Sequence, residues 1–183
     1  MDTTVQGSAE RPGTPNDEAI ELCVRTMRLM STGDLADLHT VIHPDATNRE
    51  DKDEPAECRG HGPAAFYATA LWLRDAYSDL HWDIHDAVRT GDLVVLHTTM
   101  VGRQTGPFVT YDEHAAVKQA MPPKGNKFAA TQSHWFRIKE GQIVEHWANR
   151  DDLGQAKQLG WVPPTPAYLF RMARAKSRAK RAA

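Results

Sequence analysis

The residues best suited to chemistry lie in one stretch of the chain, where a strand pattern ends in two acids. Alternating side chains predict a strand over residues 131–138, a turn at Glu140-Gly141 and a second strand over residues 142–149. Asp151 and Asp152 follow that second strand directly. A carboxylate at the rim of an apolar cavity is a base that can remove an acidic C–H proton, so the pair predicts acid–base catalysis.

Helix capping separates the two acids. Asp152-Leu153-Gly154-Gln155 resembles a capping box, in which the Asp152 side chain accepts the Gln155 amide and Gln155 reaches back. That leaves Asp151 as the acid predicted to point into the cavity and to act as the catalytic base. The alternative is that Asp151 caps the helix itself, since the ends of elements are the least certain part of a pattern.

Strand parity predicts the walls of the cavity. Phe136 shares the inward face of the first strand with His134, and Trp147 shares the bulkier face of the second strand with Asn149. His134 or Asn149 would then stabilise an enolate oxygen through a hydrogen bond. A strand predicted over residues 93–102 carries His97, but both of its faces are apolar, so parity does not place this further substrate-binding candidate.

Nine histidines invite a metal site, but their spacing argues against one. His81 and His85 are four residues apart, yet Trp82 and Ile84 alternate with them as in a strand, and the chain contains no HExxH motif. Acid–base chemistry on a carbonyl compound requires neither a metal nor another cofactor, and we expect none.

The acidic segment 45–57 is interpreted as a solvated loop because of its charge density. Its acids Asp51, Asp53 and Glu54 lack the glycine turn and distal glutamate of an EF-hand calcium loop.

Composition indicates an ordinary globular protein, with 40% hydrophobic residues, 25% charged residues and a net charge of -2 over 183 residues. Cys23 and Cys58 have no partner at metal-ligand spacing, which favours reduced thiols in the cytoplasm. The chain shows neither a basic leader followed by an apolar run nor an apolar stretch of about 18 residues, so we expect neither secretion nor a membrane span.

Three further segments must position the site. A helical pattern runs from Asn16 to Gly33, a long helix from Gly62-Pro63 to about Asp79 is predicted to cover a sheet and roof the pocket, and the proline-containing residues 106–126 are predicted to form a lid. We expect a flexible leader over residues 1–15, one domain over 16–162 and an extension over 163–183. The basic helix of that extension is interpreted as solvated, with no nucleic-acid or membrane partner.

Four segments resemble those of one known family. The run FRIKEGQIVEHWANRDDLGQAKQLG is similar to the C-terminal signature of the SnoaL-like polyketide cyclases, or ester cyclases, within the nuclear-transport-factor-2-like superfamily. Similar features occur in IHPDATN at residues 42–48, in RGHGPAAF from Arg59 and in VVLHTTMVGRQTGPF at residues 94–108. The resemblance covers residues 16–161.

This resemblance implies an α+β fold, in which a strongly bent, mostly antiparallel sheet wraps around helices and encloses a conical cavity. In that family the aspartate after the EHW-containing strand is the acid–base group of an intramolecular aldol closure, and it falls on Asp151. His134 matches an assisting histidine, and Asn48 lies in a segment that reaches the cavity mouth. We therefore expect a cyclase of secondary metabolism that acts on a small apolar or aromatic, polyketide-like substrate and forms a homodimer or homotetramer.

Other functions fit the same pattern. An isomerase or hydrolase would use Asp151 to activate a C–H group or a water molecule, whereas a carrier or sensor of apolar ligands would need the cavity without the chemistry. The substitution Asp151→Asn would separate an enzyme, which loses turnover, from a binding protein, which changes little.

Overall fold

A computed structural model describes residues 17–182 of the chain, so the predicted leader over residues 1–15 lies outside the described residues. The helices are α1 (Glu18–Thr32), α2 (Leu35–His39), α3 (Gly62–Ala76), α4 (Asp152–Gln158) and α5 (Pro166–Ala182). The strands are β1 (Ile42–Asn48), β2 (Tyr77–Thr90), β3 (Leu93–Gln104), β4 (Phe108–Tyr111), β5 (Val117–Met121), β6 (Lys127–Lys139) and β7 (Gln142–Arg150). Two short 3-10 helices, Asp51–Asp53 and Ala56–Arg59, lie between β1 and α3.

One mixed sheet organises the molecule, in the order β1-β7-β6-β3-β2. β1 runs parallel to β7, and the other neighbours are antiparallel. The predicted hairpin at Glu140-Gly141 is confirmed: φ is 52° at Glu140 and 76° at Gly141, and paired positive values suit the tight turn that joins twisted strands. The α+β class expected from the sequence is therefore confirmed.

Helices α1 and α3 cover one face of the sheet and build the core. Cys23 and Met27 of α1 pack with Phe136 of β6 in one buried apolar cluster. Arg74 of α3 donates hydrogen bonds to the main-chain oxygens of Leu29, Met30 and Gly33 at 2.6–3.0 Å, which satisfies carbonyls that the end of α1 leaves free. The two helices are thereby joined over the sheet.

A β-bulge in β7 reverses the parity predicted for that strand. Ile138 pairs with Ile143 but Arg137 pairs with Glu145, so Val144 is an extra residue on β7. Beyond it, Ala148 faces the helices and is buried, whereas Trp147 stacks on Trp135 with ring centroids 5.9 Å apart. The prediction that Trp147 and Asn149 point inward is therefore wrong, because one inserted residue moves every later side chain to the opposite face.

The segment predicted to be a lid forms a separate ribbon of β4 and β5. α5 packs on this ribbon through Tyr168, which is 2% exposed and donates a hydrogen bond to the Pro122 carbonyl oxygen at 3.2 Å. Within residues 17–182, no helix combines the length and the apolar character needed to cross a membrane.

Candidate active site

The helix-covered face of the sheet borders a cleft that contains two adjoining cavities. One lies under α1 and α3, and the other lies between α3, the β4–β5 ribbon and α4. The smaller, which we call the inner chamber, has a volume of about 80 Å³, and the larger outer chamber has about 300 Å³. The two share a wall, which includes Glu50, Glu54, Trp72, Met100, Gln132 and Arg150. Because the wall is shared, groups on it can act on a molecule that occupies both chambers.

The outer chamber has aromatic walls. Phe108 stacks on Trp161 with centroids 5.4 Å apart and on Tyr77 at 5.5 Å, and Trp72 lies 4.8 Å from Phe108. Aromatic walls of this kind suit a flat conjugated ligand, since aromatic pairs prefer offset stacking.

Glu54 is the carboxylate that the fold places in the cleft. It is only 3% exposed and lines both chambers, and the Thr69 hydroxyl donates a hydrogen bond to its Oε2 at 2.5 Å. Burial raises the pKa of Glu54 to about 7, in spite of the opposing effects of Thr69 and Arg150. A carboxyl group with such a pKa can both accept and return a proton near neutral pH.

Arg59 fixes the segment that carries Glu54. Its guanidinium donates hydrogen bonds to the main-chain oxygens of Lys52 and Glu54 at 2.9 Å, of Asp112 at 2.7 Å and of Glu113 at 3.1 Å. The last two belong to the turn between β4 and β5, so one side chain ties the acidic segment to the ribbon.

Sequence reasoning missed Glu54 because it treated the whole acidic segment as solvated. Asp51 and Asp53 do keep side chains at least partly in solvent, whereas Glu54 turns inward to Thr69, which is 15 positions further along the chain. The proline that follows Glu54, Pro55, was the one local sequence signal that the chain is fixed in a turn at this point.

The inner chamber contains a chain of hydrogen-bonding side chains. His146 Nδ1 lies 3.0 Å from Asn48 Oδ1, His146 Nε2 lies 3.0 Å from His134 Nδ1, and His134 Nε2 lies 2.8 Å from Gln132 Oε1. Burial lowers the pKa of His134 well below its usual value and that of His146 to about 3, with the Arg150 charge acting in the same direction. Both rings are therefore neutral at pH 7.

Three residues predicted to belong to the site do meet in the inner chamber: Asn48, His134 and Phe136. His134 and Phe136 arrive there because they alternate on the inward face of β6. His134 uses both ring nitrogens within the protein, so it is not placed as the direct hydrogen-bond donor to an enolate that the sequence suggested.

The predicted division between the two acids is wrong. Asp151 is the N-cap of α4: its Oδ1 accepts the Gly154 amide at 2.8 Å, and it is not part of either chamber wall. A Cβ at position 154 would lie 2.0 Å from Asp151 Oδ2, so the glycine provides room for this cap. Asp152 instead lines the outer chamber. The glycine three residues after Asp151 was the sequence signal for the alternative assignment.

The other predicted binding residues lie on the opposite face of the sheet. His97 is exposed and lies 3.7 Å from the Asp86 carboxylate, Asn149 is exposed, and the Arg49 guanidinium lies 4.6 Å from the centre of the Trp147 ring. None of these three lines the cleft, so the prediction that they form its wall is wrong. Among residues 17–182, no group of three or more His, Cys, Asp or Glu side chains is arranged to hold a metal ion.

Comparison with known proteins agrees with this architecture. The family model for SnoaL-like polyketide cyclase matches residues 21–159. Aklanonic acid methyl ester cyclase DnrD of Streptomyces peucetius is 32% identical over 148 residues, which cover 80% of this chain and 94% of that protein. Nogalonic acid methyl ester cyclase of Streptomyces nogalater is 28% identical over 131 residues, covering 71% and 88%.

Solved structures show the same fold. TsrD from Streptomyces laurentii superimposes with a TM-score of 0.61 at 26% identity and covers 78% of this chain and 95% of its own. IdmH from Streptomyces antibioticus gives 0.58 at 23% identity, with 79% and 99% covered. On the extent of the family match and the identity to its relatives, the chain belongs to the SnoaL-like polyketide cyclase family.

Proposed function

We propose that this protein closes a ring in an apolar, polyketide-like carbonyl compound by intramolecular aldol addition, with Glu54 as the acid–base group. The observation that supports this proposal best is the Glu54 carboxyl, which is buried on the wall between the two chambers and held by Thr69. Similarity to two methyl ester cyclases supports the reaction class.

The geometry supports a two-stage proton transfer. Oε2 is engaged by Thr69, so Oε1 is the oxygen left to take a proton from a carbon flanked by carbonyl groups. The resulting enolate carbon attacks a second carbonyl of the same molecule, a carbon–carbon bond forms, and the alkoxide oxygen takes the proton back from Glu54. Arg150 lines both chambers and supplies the positive charge that favours the enolate and alkoxide oxygens.

The chambers have separate tasks in this reaction. The outer chamber holds rings that are already closed against Phe108 and Trp161, while the apolar inner chamber holds the reacting end of the chain. Confining both carbonyls in one enclosure removes most of the entropic cost of bringing them together.

The test is the Glu54→Gln variant, assayed with the methyl esters on which the related cyclases are named to act. We expect turnover to fall by about 10²–10⁴-fold, the usual contribution of a general acid–base group, with ligand affinity unchanged. Asp151→Asn is the matched control: an amide oxygen can still cap α4, and its turnover should remain within about twofold of the original.

Three results would contradict the assignment. Full turnover in Glu54→Gln would show that Glu54 is not the acid–base group. Loss of turnover in Asp151→Asn alone would show that Asp151 is that group, as the family resemblance implies. Tight binding of the esters without turnover by the unchanged protein would instead indicate a binding protein.

Homo-oligomerisation and a cytoplasmic location remain part of the proposal. The stacked Trp135 and Trp147 on the outer face of the sheet support association of copies, and the free thiols of the buried Cys23 and Cys58 support a reducing compartment. Light scattering during size-exclusion chromatography measures the oligomeric state, and fractionation of the producing cells measures the location.

A further inference from the structure

The two acceptors at the ends of the histidine chain in the inner chamber are fixed by donors of known type. The Glu50 main-chain N–H donates to Asn48 Oδ1 at 3.2 Å, and the Trp82 indole N–H donates to Gln132 Oε1 at 2.9 Å. A main-chain amide and an indole can only donate, so both amide side chains present oxygen, not nitrogen, to the histidines.

Three contacts between these fixed oxygens need three protons. They join Asn48 to His146, His146 to His134, and His134 to Gln132. A neutral imidazole carries one N–H, so two neutral rings supply two protons. Every choice of tautomers therefore leaves two lone pairs facing each other at about 3 Å in one of the contacts, or forces two protons into the same contact. One added proton, shared between the rings, fills all three.

We propose that the His134–His146 pair takes up one proton when the cleft holds the enolate, and returns it when the alkoxide product is protonated. This inference rests on the proposed function. Glu54, His134 and His146 line the same chamber, so the C–H proton passes first to Glu54 and then to the pair: the O–H bond on Glu54 breaks as the third N–H bond forms. Glu54 is then a carboxylate again, and the charged pair balances the negative charge on the substrate. After ring closure the pair gives the proton back to Glu54, which protonates the alkoxide.

The surroundings of the two rings oppose an added proton. Burial and the positive charge of Arg150 both oppose an added proton on the rings, and Glu50 and Glu54 are the acids that share the chamber. The remaining neighbours are apolar or neutral, including Phe66 and Phe136. A bound anion supplies a negative charge next to the rings, which favours the protonated pair and with it the set of three complete hydrogen bonds.

The test uses the Glu54→Gln protein, because Glu54 would itself take up protons on binding an anion. Cyclohexane-1,3-dione, which is an enolate anion at neutral pH, is titrated calorimetrically in buffers of different ionisation enthalpy. We expect uptake of about one proton per bound anion. The neutral 2,2-dimethylcyclohexane-1,3-dione should cause none. Nitrogen-15 NMR of the histidine rings should show an imidazolium only with the anion.

Substitutions at position 146 test the proton count itself. In His146→Gln, the glutamine amide donates to Asn48 and presents its oxygen to His134. His134 then has two acceptors and, when neutral, one N–H, so this variant in the Glu54→Gln background should still take up a proton, at His134. In His146→Met, the methionine breaks the chain, and Gln132 is the one oxygen that still needs a proton from His134. Neutral His134 carries that proton, so this variant in the same background should take up none.

The proposal is overturned if the anion does not bind, if it binds without proton uptake in Glu54→Gln, or if the His146→Gln and His146→Met proteins behave alike. Should the methionine variant not fold, the NMR spectrum of the Glu54→Gln protein and the glutamine variant still decide the matter. Since the probe is already an anion, these results are independent of whether Glu54 removes a proton during turnover.

Discussion

At the scale of single residues, burial of Glu54 links function to stability. The folded protein raises the pKa of this carboxyl from 4.5 to about 7. A group whose pKa is higher in the folded state favours folding below its unfolded pKa, and that contribution is lost as pH rises through the folded value. The protein therefore retains, at the proposed catalytic position, a carboxylate that destabilises it above neutral pH.

Replacing Glu54 with glutamine should remove this pH dependence. The free energy of unfolding of the variant should exceed that of the original protein by roughly 3 kcal/mol at about pH 9 and by much less at about pH 5, as the size of the pKa shift implies. Urea unfolding at both pH values measures the difference, and the histidine contributions cancel because both proteins contain them. An equal difference at both pH values would show that Glu54 is not perturbed.

Asp151 should behave as a structural residue. Asp151→Ala removes the side-chain cap of α4 and should lower the free energy of unfolding by roughly 0.5–2 kcal/mol. Asp152→Ala serves as the comparison, since Asp152 is exposed within the first turn of α4 and should change stability by less. Thermal unfolding of the two variants shows which substitution costs more stability. A larger loss in Asp152→Ala would show that Asp152 is the N-cap of α4.

At the scale of elements, sequence patterns predicted most boundaries well, but not the direction of every side chain. The β6–β7 hairpin and the end of α1 at Gly33 are confirmed, since turn glycines and alternation are local signals. The faces of β7 were predicted wrongly because the bulge at Val144 depends on pairing with two different strands, β6 and β1. Likewise, the sequence next to Glu54 does not contain the Thr69 and Arg59 contacts that bury it.

The acidic segment should depend on Arg59 for its order. Arg59→Met keeps the length of the side chain but removes its hydrogen bonds to four main-chain oxygens. We expect faster amide hydrogen exchange across residues 50–59 and in the turn between β4 and β5, because local opening follows the loss of such contacts.

Arg103→Met is the control for this effect. Arg103 donates to a single carbonyl oxygen, that of Gly125, at 2.7 Å, and its loss should leave exchange in the acidic segment unchanged. If the two variants give the same exchange pattern, Arg59 does not hold the segment. Turnover should fall in the Arg59 variant alone, since Glu54 loses its fixed position.

At the scale of the whole molecule, the cleft and the C-terminal helix are separate. Within the described residues, hydrogen bonds from α5 to the segment after β5 come from Tyr168 and Arg171, near the start of the helix. Lys124 adds a contact to the face of the Tyr168 ring, 3.8 Å from its centre. Among the residues that the structure describes, those of the basic second half of α5 donate no such hydrogen bond.

Removal of residues 173–183 should therefore leave turnover unchanged and alter the free energy of unfolding by less than about 0.5 kcal/mol, as exposed positions usually do. Tyr168→Ala should cost about 3 kcal/mol, because it empties a buried aromatic position. Chemical unfolding of both proteins compares them, and a large loss on truncation would show that the basic half packs on the domain.

The close approach of Gly62 to β1 bears on how this fold can change its chemistry. Gly62 has a φ of 72°, and a Cβ there would lie 2.3 Å from the Pro44 carbonyl oxygen, so the chain that leaves β1 after Asn48 comes back beside that strand at the start of α3. The residues between the end of β1 at Asn48 and the start of α3 at Gly62, which include Glu54, therefore form a loop whose replacement need not disturb the strands or the long helix. Evolution, or an engineer, can therefore exchange the reactive group as a single insert of different length and sequence, while the sheet, the aromatic chamber and the histidine pair stay as they are.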